Sequence, residues 1–274
     1  MREPRSPVKC PFALFGALTA GLLLIGPDAA AQRSRVRFEP DDLDLHLGGE
    51  AEIDLQVGAM KGDDYVRGFA PDSELSLGIA TNAQPEIDGT FGIDDDGSSA
   101  FLDNTLVALR VGVVDVHDQP MSKDAWAAGV QVGTRLPTLP GSRGIGIEAL
   151  TIVGRTQGRL HIFFASGVLV DCAQLDAFGA RTSRPTGIEL GVDVDVDLDE
   201  RDRWSMKAEL SGARFFTPED PQLHLVAGPA VKVTPSVELS AVALLGFLKG
   251  SDRLGVLVGA STRFKTFQVR PRRP

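Results

Sequence analysis

Cysteine is almost absent from this chain. There are two cysteines in 274 residues, and Cys10 lies in an N-terminal segment that has the features of a secretion signal. Cys172 is then the only thiol of the exported part, which excludes an intrachain disulfide. An exported chain without disulfides needs a large core or a membrane to hold its fold.

Long apolar runs are also scarce. The run Phe12 to Ile25 is too short for a comfortable membrane-spanning helix, follows a basic stretch and precedes the small residues Ala29 to Ala31. This pattern predicts a cleaved signal peptide over residues 1–31, with an uncleaved anchor as the alternative. No second run of about 18 apolar residues follows, so helical membrane spans are excluded.

Tyrosine, tryptophan and positive charge are in short supply. The chain has one Tyr and two Trp beside 14 Phe, so Phe would have to share the interfacial girdle of any membrane barrel. The net charge is −9, which leaves no basic footprint for nucleic-acid phosphates. We therefore expect no nucleic-acid partner.

The motifs of catalytic and metal sites are missing as well. There is no HExxH, no G-x-S-x-G and no phosphate-binding glycine pattern, and Asp94 to Gly97 lacks the spacing of a calcium loop. Three aspartates on one strand, at 193, 195 and 197, cannot surround a cation. The sequence predicts no cofactor, no metal and no enzyme activity. The four histidines lie on separate elements: His46, His117, His161 and His224.

What the chain does have is alternation with a period of two. Between Gly187 and Phe215, apolar residues occupy every second position of two segments, and Asp199 to Asp202 forms a polar turn between them. This pattern predicts a β-hairpin with one apolar and one charged face. In a soluble protein the apolar face would meet a core; in a transmembrane barrel it would meet lipid, and the carboxylates would line a lumen.

The same alternation recurs along the chain and predicts about twelve strands, most of them near the length that crosses a bilayer. We expect Leu43–Met60 to be the first strand, a break at Pro71 between Tyr65–Phe69 and Ser73–Ala80, and long loops at Gln84–Asp103 and Asp171–Pro185. Longer connections alternate with compact turns, which is typical of outer-membrane barrels whose termini both lie in the periplasm.

Four segments resemble a known group: Gly68–Ser76, Gln131–Thr138, Val231–Ser240 and Gly259–Phe264. The first and third each contain a Pro turn followed by Glu-Leu-Ser. Together they resemble the outer-membrane barrels of the "MetA-pathway of phenol degradation" type. The resemblance implies a barrel with a role in the uptake of hydrophobic or aromatic compounds, and it supplies no catalytic residues.

The predicted fold is therefore all-β: an antiparallel up-and-down transmembrane β-barrel in the outer membrane of a Gram-negative cell. The predicted parts are a signal peptide (1–31), a short periplasmic leader (32–42), the barrel (43–264) and a basic C-terminal extension (265–274). Alternation predicts these lumen-facing residues: Glu74, Arg110, Gln131, Arg135, Glu189, Asp193, Asp195, Asp197, Lys207, Glu209, His224, Lys232, Glu238 and Arg263.

Three functions are compatible with this fold. The first is a porin-like channel or transporter for small, hydrophobic or aromatic compounds, with lipid and a small solute as its partners. The second is a structural barrel with a closed lumen whose long loops bind. The third is a soluble periplasmic carrier that holds an apolar ligand as lipocalins do, in which case the apolar face would point inward.

Overall fold

The computed structural model describes residues 45, 48–63, 66–80, 82–94, 100–114, 124–174, 184–217 and 219–266. The predicted signal peptide and leader, and the extension beyond residue 266, lie outside these ranges. Within them the regular structure is strand. No helix in this part of the chain is long and apolar enough to cross a membrane.

Twelve long strands and three short ones follow one another along the described residues. The long strands have 9 to 13 residues. In chain order the elements are β1 (Glu50–Lys61), β2 (Val66–Leu77), β3 (Ala83–Asp94), β4 (Ala100–Leu102), β5 (Leu106–Val114), β6 (Asp124–Arg135), β7 (Ser142–Arg143), β8 (Gly146–Gln157), β9 (Leu160–Val170), β10 (Ala173–Gln174), β11 (Thr186–Asp197), β12 (Trp204–Phe215), β13 (Gln222–Thr234), β14 (Val237–Gly246) and β15 (Leu254–Lys265).

The long strands form one closed antiparallel barrel. Each pairs with the next long strand in the sequence, and β1 pairs with β15 from Glu50 opposite Lys265 to Lys61 opposite Leu254. The β2–β3 pairing completes the ring, so no long strand is left with a free edge. The predicted fold class, an up-and-down barrel of about twelve strands, is confirmed.

Burial shows which face of the sheet points inward. On β15, Val256 and Val258 are 59% and 51% exposed, whereas Leu257 between them is 1% exposed. On β3, Glu86 and Asp88 are buried on either side of the half-exposed Ile87. A closed barrel has one interior, so its buried face is polar along much of the wall and its outer face is apolar. This arrangement contradicts the soluble carrier, whose apolar face would point inward.

The first strand was expected to begin at Leu43, but β1 begins at Glu50, after a turn at residues 48–49. Two further local predictions are wrong. Residues 84–103 were expected to form a long loop, but β3 occupies most of that range, because polar interior residues alternate there with Pro85, Ile87, Gly89 and Phe91. The break expected at Pro71 is instead a bulge inside the continuous strand β2, where the register with β3 shifts between Phe69 and Asp72.

The barrel has two distinct ends. The terminal end carries Glu50 and Lys265, together with the tight turns at 158–159 and 235–236. The loop end carries the connections 136–145 and 247–253, together with residues 171–174 and 184–185, which are the described part of the connection 171–185. The chain enters β1 through a turn at Gly49, whose φ of 94° lies in the left-handed region that favours glycine.

Candidate functional site: the barrel interior

Acidic side chains dominate the interior face. The face is defined by the buried residues of each strand and by the alternation that extends from them. Its carboxylates clearly outnumber its basic groups, which gives the lumen a negative potential. The acidic residues are Glu50, Glu52, Asp54, Asp72, Glu74, Glu86, Asp88, Glu148, Glu189, Asp193, Asp195, Asp197, Glu209 and Glu238; the basic ones are Arg67, Arg110, Arg135, Lys207, Lys232, Arg263 and Lys265.

The residues predicted from the sequence to face the lumen differ in how far they are buried. All of them alternate with the exposed apolar positions of their strands. The buried ones are Glu74, Arg110, Gln131, Asp193, Glu209 and His224; Arg135, Glu189, Asp195, Asp197, Lys207 and Glu238 are partly buried; Lys232 and Arg263, near the terminal end, are exposed.

Ion pairs on this face run along the wall. Arg110 of β5 lies 3.4 Å from Glu86 of β3, and its Nε donates to Gln131 Oε1 of β6 at 3.0 Å. Arg135 of β6 binds Glu148 of the neighbouring strand β8. Each contact joins adjacent strands of the barrel, so these pairs hold charged groups against the wall instead of bridging the lumen.

Lys207 makes a longer link on the opposite side of the barrel. Asp195 of β11 lies opposite Lys207 in the β11–β12 ladder. The ammonium group of Lys207 also donates to Glu238 Oε1 at 2.6 Å, across the intervening strand β13. On the other side of Asp195, His161 Nε2 lies 3.2 Å from Asp197 Oδ2. The terminal end of β11 is therefore part of a network of both signs.

Carboxylates also stand side by side in the ladder. Asp54 of β1 is opposite Glu74 of β2, and Glu74 is opposite Asp88 of β3. Across the barrel, Asp193 of β11 is opposite Glu209 of β12. Like charges at directly opposed positions repel each other, so these rows concentrate negative potential on two sides of the interior.

Two apolar clusters interrupt the polar interior, and sequence alternation did not predict them. The first, called here the β13–β2 cluster, lies on contiguous strands and consists of Met60, Phe69, Val226, Val242, Leu244 and Leu257. The second lies on the opposite strands β6, β8 and β9 and consists of Ile152, Phe163, Ala165 and Ala127. A signal for both exists in the sequence, since Phe163-Phe164 and Val256-Leu257-Val258 are apolar on both faces.

The loop end is organised by contacts among the long connections. β7 and β10 form a small two-stranded sheet that joins connection 136–145 to connection 171–185. Asn104 Nδ2 donates to Asp171 Oδ1 at 3.3 Å, and burial raises the pKa of the Asp171 carboxyl. Burial likewise raises the pKa of the Cys172 thiol, whose Sγ donates to the Arg135 carbonyl oxygen at 3.3 Å.

The outer surface carries aromatic side chains near the terminal end. Trp126 of β6, Trp204 of β12 and Phe264 of β15 are all exposed close to that end of their strands. The Arg155 guanidinium lies over the Trp126 ring, 5.2 Å from its centroid. Such groups mark the level at which a barrel meets the lipid headgroups.

No family model matches this chain, and no curated protein matches it. Among solved structures, the NanC porin is similar to it with a TM-score of 0.55 and 12% identity, over 77% of this chain and 98% of that one. The KdgM porin is similar with a TM-score of 0.52 and 9% identity, over 78% and 99% of the two chains.

The chain shares the barrel fold of these two porins. At these identities the likeness shows the fold alone, while the apolar outer face is an observation on this chain itself. That outer face supports a location in a membrane. Among the described residues there is no group of three or more side chains able to hold a metal ion.

Proposed function

We propose that this protein is an outer-membrane channel for small solutes. The observation that carries the proposal is the inverted burial of the barrel, with large apolar side chains exposed on the outside and charged side chains buried on the inside. An exposed apolar belt around a closed barrel is stable in lipid, and an interior with fixed charges is suited to water and polar solutes. The protein's partners are then lipid and a solute, and it acts without catalysis.

The interior charge sets a preference among solutes. Because carboxylates outnumber basic groups on the interior face, anions are repelled and cations are enriched in the lumen. The two apolar clusters add surfaces that favour a solute with an apolar part. We therefore propose neutral or cationic compounds with an apolar or aromatic portion, which agrees with the resemblance to barrels of the phenol-degradation type.

A second function is favoured by one observation. Many interior side chains are deeply buried, including Glu86, Ile152 and Asp193. A densely filled interior is typical of a barrel without a conducting path, whose function would lie in its loops. The connections 136–145 and 171–185, joined through β7 and β10, would then be the binding surface.

Conductance separates the two functions. The full-length protein, isolated from outer membranes in detergent, is reconstituted in planar bilayers with a gradient of KCl. If the protein is a channel, we expect discrete current steps and a reversal potential whose sign shows that K⁺ passes more readily than Cl⁻. Repeated insertion of heat-shiftable, folded protein without current steps would contradict the channel and leave the closed barrel.

A further inference from the structure

Positive charge gathers on the outside of the barrel at the loop end. Arg143 and Arg184 are exposed in the connections that lead into β8 and β11, and Arg214 is exposed as the last residue but one of β12. Arg214 lies opposite Ile188 in the β11–β12 ladder, and the exposed Ile188 shows that this pair faces outward. We call these three side chains the arginine rim.

Backbone contacts hold Arg184 beside the connection that carries Arg143. Arg184 Nε donates to the Asp171 carbonyl oxygen at 3.0 Å, and Arg184 Nη2 donates to the Ile145 carbonyl oxygen. The same Nη2 would lie 3.9 Å from a Cβ placed on Gly144, the residue next to Arg143. The guanidinium of Arg184 is therefore fixed in position close to the backbone of Arg143.

A second set of contacts places Arg214 in the same sector. The Phe216 N–H donates to the Thr186 carbonyl oxygen at 2.8 Å, which joins the end of β12 to the start of β11. Thr186 follows Arg184 by two residues, and its hydroxyl donates to the Arg184 carbonyl oxygen at 3.2 Å. Phe216 follows Arg214 by two residues. The arginine rim thus covers one sector of the wall, from β8 to β12.

The charge of the arginine rim is not neutralised by the described part of the chain. None of the described carboxylates forms an ion pair with it, whereas other basic residues of the loop end are paired: Lys249 with Asp220 at 2.9 Å and Arg253 with Asp63 at 2.8 Å. The outward positions in the loop-end halves of β8, β9, β11 and β12 hold no Asp or Glu. This sector therefore has a positive potential on a protein whose net charge is negative.

Large apolar side chains lie on the outer face beside the arginine rim, on the side of the mid-wall. Ile145, Ile147, Val168 and Leu190 are each more than half exposed in this sector. Apolar side chains at this level of a membrane barrel contact acyl chains, and cationic side chains beyond them reach the lipid headgroups. The sector therefore fits a molecule that has an anionic head and an apolar tail.

We propose that the arginine rim binds the phosphate group of a lipid in the outer leaflet, with the acyl chains of that lipid on the apolar side chains beside it. Guanidinium groups bind phosphate through paired hydrogen bonds, and two carbonyl oxygens use only two of the five N–H donors of Arg184. Free phosphate would contact the rim alone, and a neutral lipid the apolar surface alone. The inference goes beyond the channel function, since it needs a membrane location with the loop end facing outward but no open lumen.

The test uses the full-length protein, purified in detergent and stripped of lipid, with the phosphorylated glycolipid lipid A as the probe. Native mass spectrometry measures the fraction of protein that retains lipid A as its concentration is raised. We expect the double variant Arg143→Gln with Arg214→Gln to bind about 30-fold more weakly than the wild type. The matched control is Arg201→Gln with Arg203→Gln, which removes two exposed arginines from a turn at the terminal end and should bind as the wild type does.

Two further probes separate the parts of the site. We expect dephosphorylated lipid A to be retained poorly, and inorganic phosphate to compete only at high concentration. Equal retention of both lipids, or equal retention by the two double variants, would overturn the inference. Displacement of lipid A by micromolar phosphate would overturn the assignment to a lipid, because the rim would then bind phosphate by itself.

Two single variants extend the test to the case that the double variant fails to fold, as shown by loss of the heat-dependent gel shift. Arg143→Gln and Arg214→Gln should each weaken the binding of lipid A about fivefold. Wild-type affinity in both would overturn the inference. Lipid retention is measured without current, so failure of this inference leaves the channel function standing, and a silent bilayer leaves this inference standing.

Discussion

Asp193 and Glu209 stand directly opposite each other on the interior face of β11 and β12, and both side chains are buried. Two carboxylates at opposed positions of a ladder repel each other and destabilise the fold, so we expect the pair to have a function that offsets this cost. In a channel that function is cation attraction, because a local concentration of negative charge draws cations into the path.

Neutralising the aspartates of β11 should therefore reduce cation preference. In the double variant Asp193→Ala with Asp195→Ala, the reversal potential in a KCl gradient is expected to move toward zero. Glu200→Gln is the control, because Glu200 lies in an exposed turn and its charge is screened by solvent. An unchanged reversal potential in the double variant would show that ions do not pass near β11.

Breaking the Arg110 contacts should destabilise the barrel. Arg110→Met leaves Glu86 buried without the guanidinium 3.4 Å away, and removal of one member of a buried pair costs about 3–5 kcal/mol. Urea titration in detergent, read from the heat-shifted gel band, measures the loss. Arg159→Met serves for comparison: its pair with Glu200 is exposed, and such pairs are worth about 0–1 kcal/mol. Equal midpoints for the two variants would contradict a role for Arg110 in holding the wall.

An arginine introduced on the outer face should lower the stability of the barrel strongly in the middle of a strand and only slightly near its terminal end. Val258 is exposed on the outer face in the middle of β15, and Thr262 lies on the same face near the terminal end. Val258→Arg is expected to lower the free energy of unfolding in lipid by about 2–4 kcal/mol, and Thr262→Arg by about 0–1 kcal/mol. If the two variants were equally stable, the outer face of β15 would not lie in hydrocarbon.

Cys172 should react slowly with thiol reagents in the folded protein. The thiol is buried, and burial raises its pKa, so the reactive thiolate is rare at neutral pH. Maleimide labelling should therefore require unfolding. Phe216→Cys in a Cys172→Ser background is the exposed control and should label at once. Rapid labelling of native Cys172 would mean that the connections around it open readily at the loop end.

The fold was largely predictable from the sequence. In a barrel wall, apolar side chains that face lipid alternate with side chains that face the interior, and this alternation is visible in the sequence. The apolar positions of β11 and β12 are regular, and the structure places both strands where the sequence predicts them. The predicted total of about twelve strands agrees with the structure partly because two errors in the strand count offset each other. The predicted break at Pro71 divides β2 into two strands, while β3 was taken for a loop.

Each misreading has its own physical cause. Outward positions of β3 hold Pro85 and Gly89, which weaken the apolar signal but are accepted by a wall that meets lipid. Interior apolar residues such as Leu244 and Leu257 were missed for the opposite reason, because the expected lumen was entirely polar. The contact between Arg67 and Asp252 joins positions 185 residues apart in sequence, so no local sequence pattern predicts it.

The most direct test of the account is the gel mobility of the protein from membrane fractions, with and without boiling in detergent. A closed barrel whose interior is tied together by buried polar contacts resists the detergent until it is heated. We predict that the protein is recovered in the outer membrane and that its band shifts on heating. Recovery in the soluble periplasmic fraction without a shift would contradict the assignment of the apolar face to lipid, and with it the channel.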